Sequence, residues 1–212
     1  MRNLGIVSVG GRLSFYLFLP NHFNASLRMI QITQAHTEAD LLGILSLQQQ
    51  NLAQNISPEE AAEQGFVTVV HDLDILRRMN DAGRHTIAKD GDRVVGYALT
   101  MLQQFRNDIP FLESLFERLD LLAWHGRPLR EVPYFVMGQV CVAKECRGMG
   151  VFDGLYDGLR RFNAERFEVV ATDISSRNTR SLRAHERVGF ETLQEFALVD
   201  GGVWVIVGWG LR

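Results

Sequence analysis

Hydrophobic and polar positions along this chain fall into short blocks whose period switches between two and about 3.6. MIQITQA (29–35) alternates as a half-buried strand does. Thr37, followed three residues on by Asp40, predicts a capped helix over TEADLLGILSLQQQNLA. Ser57-Pro58-Glu59-Glu60 predicts another helix start, with a capping side chain, proline at the first position and acids facing the positive end of the dipole. A further helical pattern covers 72–80. In HTIAKDGDRVVGYALTML two extended runs flank Asp90-Gly91, which predicts an antiparallel hairpin over 85–103. From 108 to 124, Phe111, Leu112, Leu115, Phe116, Leu119 and Leu122 share one helical face, before a break at Gly126 and Pro128. Then follow a strand (134–142), a helix (151–163), a strand (167–174) and a short helix (178–188) stopped by Gly189. A second hairpin, 190–199 and 203–211, turns at Asp200-Gly201-Gly202.

Hairpins at both ends of one strand–helix–strand unit predict an α+β class with a mixed, mostly antiparallel sheet flanked by helices, and not a doubly wound fold. At 212 residues one sizeable domain is the default. Ordinary apolar (46%) and charged (22%) fractions exclude disordered and fibrous classes. The net charge of −3, with no long run of one sign, argues against a nucleic-acid partner. Cys141 and Cys146 have no second Cys or His pair beside them at metal spacing. No metal is expected, and reduced thiols suggest the cytoplasm. Apolar stretches such as 13–20 and 203–207 fall short of the roughly 20 residues of a membrane span, so no membrane partner is expected. Residues 1–28 are set apart from a domain over 29–212. Their apolar part is short, ends at Pro20 and lacks a small-residue cleavage pattern, which predicts an added edge strand or a disordered extension.

The candidate chemistry lies in VCVAKECRGMGVFDGLYDGL (140–159), where a β-branched run passes through Arg147-Gly148-Met149-Gly150 into a helix. The two glycines bare the main chain, and the unpaired amides of the first helical turn suit a phosphate or pyrophosphate. Arg147 adds positive charge. A dinucleotide fingerprint would need a third glycine where Asp153 stands, although Asp173 lies near the distance of its ribose-binding acid. That leaves a nicotinamide-dependent oxidoreductase as one alternative. No G-x-x-x-x-G-K-[ST] loop exists in the chain.

About 30 residues after the glycine loop, RNTRSLRAHERVGFE (177–191) sets Asn178, Ser181, His185 and Gly189-Phe190 at fixed offsets. V-x-x-x-x-R-G-x-G-V over 142–151, followed by N-x-x-S-x-x-x-H-x-x-x-G-F, resembles the acyl-CoA site of the GNAT superfamily of N-acetyltransferases. The order of elements matches that family from about 29 to 211. The resemblance implies the GNAT fold, with central strands splayed apart and a glycine loop before a helix. It implies acetyl-CoA as cosubstrate and an amine acceptor, with direct attack and no covalent enzyme intermediate. Main chain at Val140, Cys141 and Val142 would bond the pantetheine arm. The amides of Gly148, Met149, Gly150, Val151 and Phe152 would cradle the pyrophosphate, with Arg147 at the loop's mouth, and Asn178 would touch the pantetheine. Phe152 departs from the family's usual Gly or Ala and must point away from the phosphates. His185 stands where the family most often has a tyrosine thought to protonate the leaving thiolate, so it is a candidate general acid and equally a core histidine. Gln139 stands where the family often has an acid and would order a water. Glu113, Glu117 and Tyr134 are alternative sources of a base, which the sequence does not assign. Cys141 reads as a buried thiol, and the arginines at 177, 180, 183 and 187 as a solvated face or a contact to the CoA 3′-phosphate. A non-catalytic acyl-CoA-binding module is the other alternative, supported by Gln139. The sequence leaves the acceptor and the acyl chain unspecified, and a homodimer open.

Overall fold

The computed structural model describes residues 5–9, 12–16, 29–57, 59–60, 65–67, 69–198 and 201–212, with main chain alone at 5–9, 12–16, 110 and 111. Its centre is a mixed sheet. From Met29 onward seven strands contribute: β3 (Met29–Gln34), β4 (Thr86–Asp90), β5 (Arg93–Met101), β8 (Tyr134–Val142), β9 (Val169–Ser175), β10 (Glu191–Ala197) and β11 (Val203–Gly210). An antiparallel pair, β1 (Gly5–Val9) and β2 (Arg12–Tyr16), joins the β3 edge with β1 parallel to it. The order is β10-β11-β9-β8-β5-β4-β3-β1-β2. The α+β reading of the sequence holds: β8–β9 is the one parallel pair inside the seven, and both hairpins lie where the Asp-Gly turns predict. Asp200 lies outside the described residues, and so do Pro58 and residues 61–64 of the helix expected from Ser57; that start is seen in part, as the Glu60 N–H donates to Ser57 Oγ at 3.1 Å.

The helices are α1 (Glu38–Gln50), α2 (Leu73–Ala82), α3 (Pro110–Leu119), α4 (Val151–Asn163) and α5 (Thr179–Val188). Thr37 and Asp40 form the expected capping box on α1. Burial alone would raise the Asp40 carboxyl, but Lys89 at 2.8 Å and the amides of His36 and Thr37 bring it down to about 2. One helix departs from expectation. The pattern over 108–124 predicts a single helix, yet α3 ends at Leu119, and Ala123–Trp124 (β6) pairs with Arg127–Pro128 (β7). His125 and Gly126 both take positive φ (46° and 84°) and close that turn, and Leu129 N–H donates to the Leu122 carbonyl at 2.8 Å. Trp124 packs against Gly208 of β11, so a tertiary contact overrides the helical period.

Two apolar clusters share the sheet. One gathers β3, β4 and β5 with α1 and the first turns of α4; the other gathers β8, β9 and β11 with α2, α3, the aromatic residues of α4, Leu182 and Val188 of α5, and Phe190. The seating of α4 matters most for function. A Cβ on Gly158 would stand 2.5 Å from Ile32 Cγ2, so only glycine lets the helix lie this close to β3. That approach fixes where the N-terminus of α4 points. Among the described residues no helix is long and apolar enough to cross a membrane.

Candidate active site

Strands β8 and β9 pair at three positions only, Tyr134–Val169, Phe135–Val170 and Val136–Ala171. Thr172 Oγ1 donates across the gap to the Met137 carbonyl at 2.9 Å; beyond it β8 continues to Val142 and β9 to Ser175 unpaired with each other. A bulge drives them apart. Ala98 faces Val140 while Thr100 faces Met137, so β8 spends an extra residue against β5, which bends and twists it. Strand β9 stays paired to β11 throughout. The resulting wedge holds a cleft of about 500 Å³ along Val140–Val142, the glycine corner and α5. It adjoins a slot of about 100 Å³ between the splayed strands, bordered by Gln139, Thr172, Asp173, Ser175 and Trp204.

The corner is built as the sequence implies. Gly148 and Gly150 have φ of 75° and 77°, left-handed values that glycine adopts without strain. Gly154 N–H is the first amide of α4 to join the ladder, donating to the Gly150 carbonyl at 2.9 Å. Ahead of it, the N–H groups of Gly148, Met149, Gly150, Val151 and Phe152 find no protein acceptor among the described residues. A Cβ on Gly148 would meet nothing within 4 Å. Open space over a row of unpaired amides fits a diphosphate. Phe152 turns its ring onto Tyr156 (4.8 Å between centroids) and His185 (5.5 Å), so its bulk is accommodated in helix packing.

Arg147 lines the cleft beside Gly148, and its guanidinium is already bonded within the protein. Its guanidinium folds back on the protein: Nε donates to the Val142 carbonyl (3.2 Å), Nη2 to Asn51 Oδ1 (2.6 Å) and Nη1 to Glu60 (3.2 Å). Lys144 also binds Glu60, at 2.7 Å, and leads the interactions that hold its carboxyl below the ordinary range. Arg147 thus fastens the start of the 59–67 segment beside the corner, and one carbonyl of the expected pantetheine edge is already used. Val140 and Cys141 border the cleft, and burial pushes the Cys141 thiol up to about 12, so it is no nucleophile. Asn178 caps α5 by accepting from Ser181 N–H at 3.1 Å and packs against Gly65 at the cleft wall.

His185 borders the slot and is packed as a core residue. It is 1% exposed; Nδ1–H donates to the Ser181 carbonyl at 2.8 Å, which leaves Nε2 to accept from the Tyr156 hydroxyl at 2.6 Å. Burial pushes its pKa down to about 4. With both nitrogens committed and the ring neutral, it has no proton to give at neutral pH. Phe152, Tyr156, His185, Phe190 and Trp209 form one aromatic cluster. Of the alternative bases, Glu113 and Glu117 lie on the exposed face of α3, and Tyr134 is buried at the closed end of the wedge, where burial pushes its hydroxyl up to about 12.

Gln139 is held in a network that the sequence did not reveal. Its Oε1 accepts from Tyr97 (2.6 Å) and from Gln48 Nε2 (2.9 Å), and its Nε2 donates to the Val69 carbonyl (2.9 Å). Gln48 Nε2 also donates to His71 Nδ1 (2.8 Å), and its Oε1 accepts the His71 N–H (3.0 Å). Side chains from α1, β5 and β8 thereby tie the 69–71 loop to the bulge. Asp173, which the sequence offers only as a ribose ligand, borders the slot instead. Burial pushes its carboxyl up to about 6, and no side-chain partner engages it among the described residues. The signal missed was its place at the open end of β9, which needs the splay to acquire meaning.

A family model described as Acetyltransferase (GNAT) family matches residues 47–190. The chain belongs to the GNAT family. Solved structures agree in fold. The ribosomal-protein-S18-alanine N-acetyltransferase from Escherichia coli superposes with a TM-score of 0.56 at 13% identity, over 87% of this chain and 95% of that one. yncA from Salmonella typhimurium, solved with its cofactor acetyl-CoA, gives 0.56 at 17%, over 86% and 94%. Ribosomal-protein-alanine N-acetyltransferase from Brucella melitensis gives 0.55 at 20%, over 84% and 98%. At these identities the likeness is one of fold. No curated protein matches the chain.

Proposed function

We propose that this GNAT protein is an N-acetyltransferase that moves acetyl from acetyl-CoA to a primary amine by direct attack, with Asp173 as the base. The observation that carries the reading is one continuous wedge: unpaired amides line one end and an unpartnered carboxylate borders the other. The two buried free thiols suit a reducing cytoplasm.

Gly148 to Phe152 would hold the diphosphate through their N–H groups, and the main chain of Val140 and Cys141 would hold the arm that leads into the slot. When bound, acetyl-CoA supplies a thioester carbonyl already activated toward an amine, so positioning does much of the work. Asp173 draws the ammonium group of the acceptor into the slot and takes its proton. A carboxyl near 6 is ionised at neutral pH yet more basic than an ordinary aspartate, as a general base requires. Gln139 fixes the loop over the slot through Val69, and its remaining N–H can order a water. The ammonium loses two protons in all: Asp173 takes the first and releases it to water, and the second, shed as the amide forms, equals the one that the departing sulfur gains, so no external acid is consumed and His185 has no required part. A carboxylate at 173 favours catalysis over the non-catalytic alternative, whose support is the glutamine at 139.

The test is thermal stabilisation by acetyl-CoA and by NADH in parallel, followed by thiol release with an amine panel. A ligand at 100 times its dissociation constant adds about 2.7 kcal/mol. Stabilisation by acetyl-CoA with amine-dependent thiol release is expected. Stabilisation by NADH alone would overturn the reading in favour of the oxidoreductase, and acetyl-CoA binding with no release on any amine would leave a binding module.

A further inference from the structure

The slot carries information about the acceptor because its electrostatics are one-sided. Asp173 is the one charged side chain bordering it among the described residues, and the rest of its wall is neutral, including Gln139, Thr172, Ser175, Phe66 and Trp204. His185, among the lining residues, is held neutral by burial and bonded at both nitrogens. The cations of this region, Arg147, Arg180, Arg183 and Arg187, border the wide cleft and not the slot.

We infer that the acceptor is a primary amine whose nitrogen has no carboxylate close to it, as on a peptide N-terminus or an alkylamine, and that free amino acids are excluded by charge. This rests on the transferase reading of the same site. The ammonium must approach Asp173 for its proton to be taken. In a free amino acid the carboxylate is two bonds from that nitrogen, so a slot of about 100 Å³ takes both groups or neither. Inside, the carboxylate would meet Asp173, and no arginine or lysine borders the slot among the described residues to receive it. Rejection by an unpaired like charge is how a site discriminates between acceptors of similar shape. A peptide amine or an alkylamine brings only the charge that the slot can use.

Matched acceptors test this with the full chain and acetyl-CoA: alaninamide against alanine, and propylamine against β-alanine, each pair differing at the carboxylate. A short peptide amide with a free N-terminus completes the set. Thiol release should favour the carboxylate-free member of each pair by about tenfold or more in kcat/KM, the scale of one charge-selective contact. Whichever of the peptide amide and propylamine has the higher kcat/KM identifies the source of the amine. A Ser175→Lys variant, its fold checked by retained stabilisation with acetyl-CoA, should narrow or reverse the preference by giving the carboxylate a partner. Equal kcat/KM within both pairs would overturn the inference and leave the transferase reading standing. No thiol release with any amine, while acetyl-CoA still stabilises the chain, would sink both.

Discussion

The two ends of the wedge are made of different material. The corner proposed to hold the diphosphate is main chain: five amides of the glycine turn and the first helical residues, exposed because positions 148 and 150 have no side chain. The proposed acceptor end is side chain: Gln48, His71, Tyr97, Gln139 and Asp173 come from five separate segments and meet through the β8 bulge and the β8–β9 splay. A local motif suffices to build the first. The second exists only once distant elements have docked. Chemistry common to a family can therefore sit at one end while acceptor choice varies freely at the other.

Substitutions and pH can break or sharpen that contrast. The largest effect is expected from Asp173→Asn, which should lower kcat by about 10²–10⁴ while acetyl-CoA still stabilises the protein. In the wild type, kcat/KM should rise with pH through the region near 6 as this carboxyl ionises. An unchanged kcat would remove the base from the acceptor end.

Stability against pH comes next. Burial pushes His71 and His185 down to about 4 and His85 to about 3, so the unfolded chain takes up protons below about 6.5 that the folded chain refuses. Their combined effect is absent above that pH and destabilises progressively as pH falls. Asp173 works in the opposite sense, since its raised pKa lets the folded state bind a proton below about 6. Three histidines less one aspartate leave about two protons, hence a loss of about 3 kcal/mol per pH unit between roughly 6 and 4. Denaturant titrations at stepped pH measure this slope, and a flat profile would show that these rings are not buried neutral.

Gly150→Trp should abolish the stabilisation of about 2.7 kcal/mol conferred by excess acetyl-CoA, with the fold retained by circular dichroism. Retained stabilisation would displace the cosubstrate from the corner. The smallest effect on turnover belongs to His185→Phe. Its kcat and pH profile should match the wild type, while stability falls by about 1–3 kcal/mol because the buried Tyr156 hydroxyl loses its acceptor. A lost acidic or basic limb in the rate profile would restore His185 to the chemistry.

What the sequence decided by itself was whatever depends on neighbours along the chain. The capping box at Thr37 and Asp40, the Asp-Gly hairpin, strand 134–142, helix 151–163, the glycine corner and the Gly189 stop all formed where their residues predict, because dihedral preference and period act locally. Tertiary structure decided the rest. It stopped α3 at Leu119 by packing Trp124 under β11, turned Arg147 inward to Asn51 and Glu60, and sealed His185 behind Phe152 and Tyr156. It also placed Asp173 at the open end of the splay and raised its carboxyl, because a side chain's charge and reach depend on the groups packed around it, and only the splay of β8 from β9 chooses those groups.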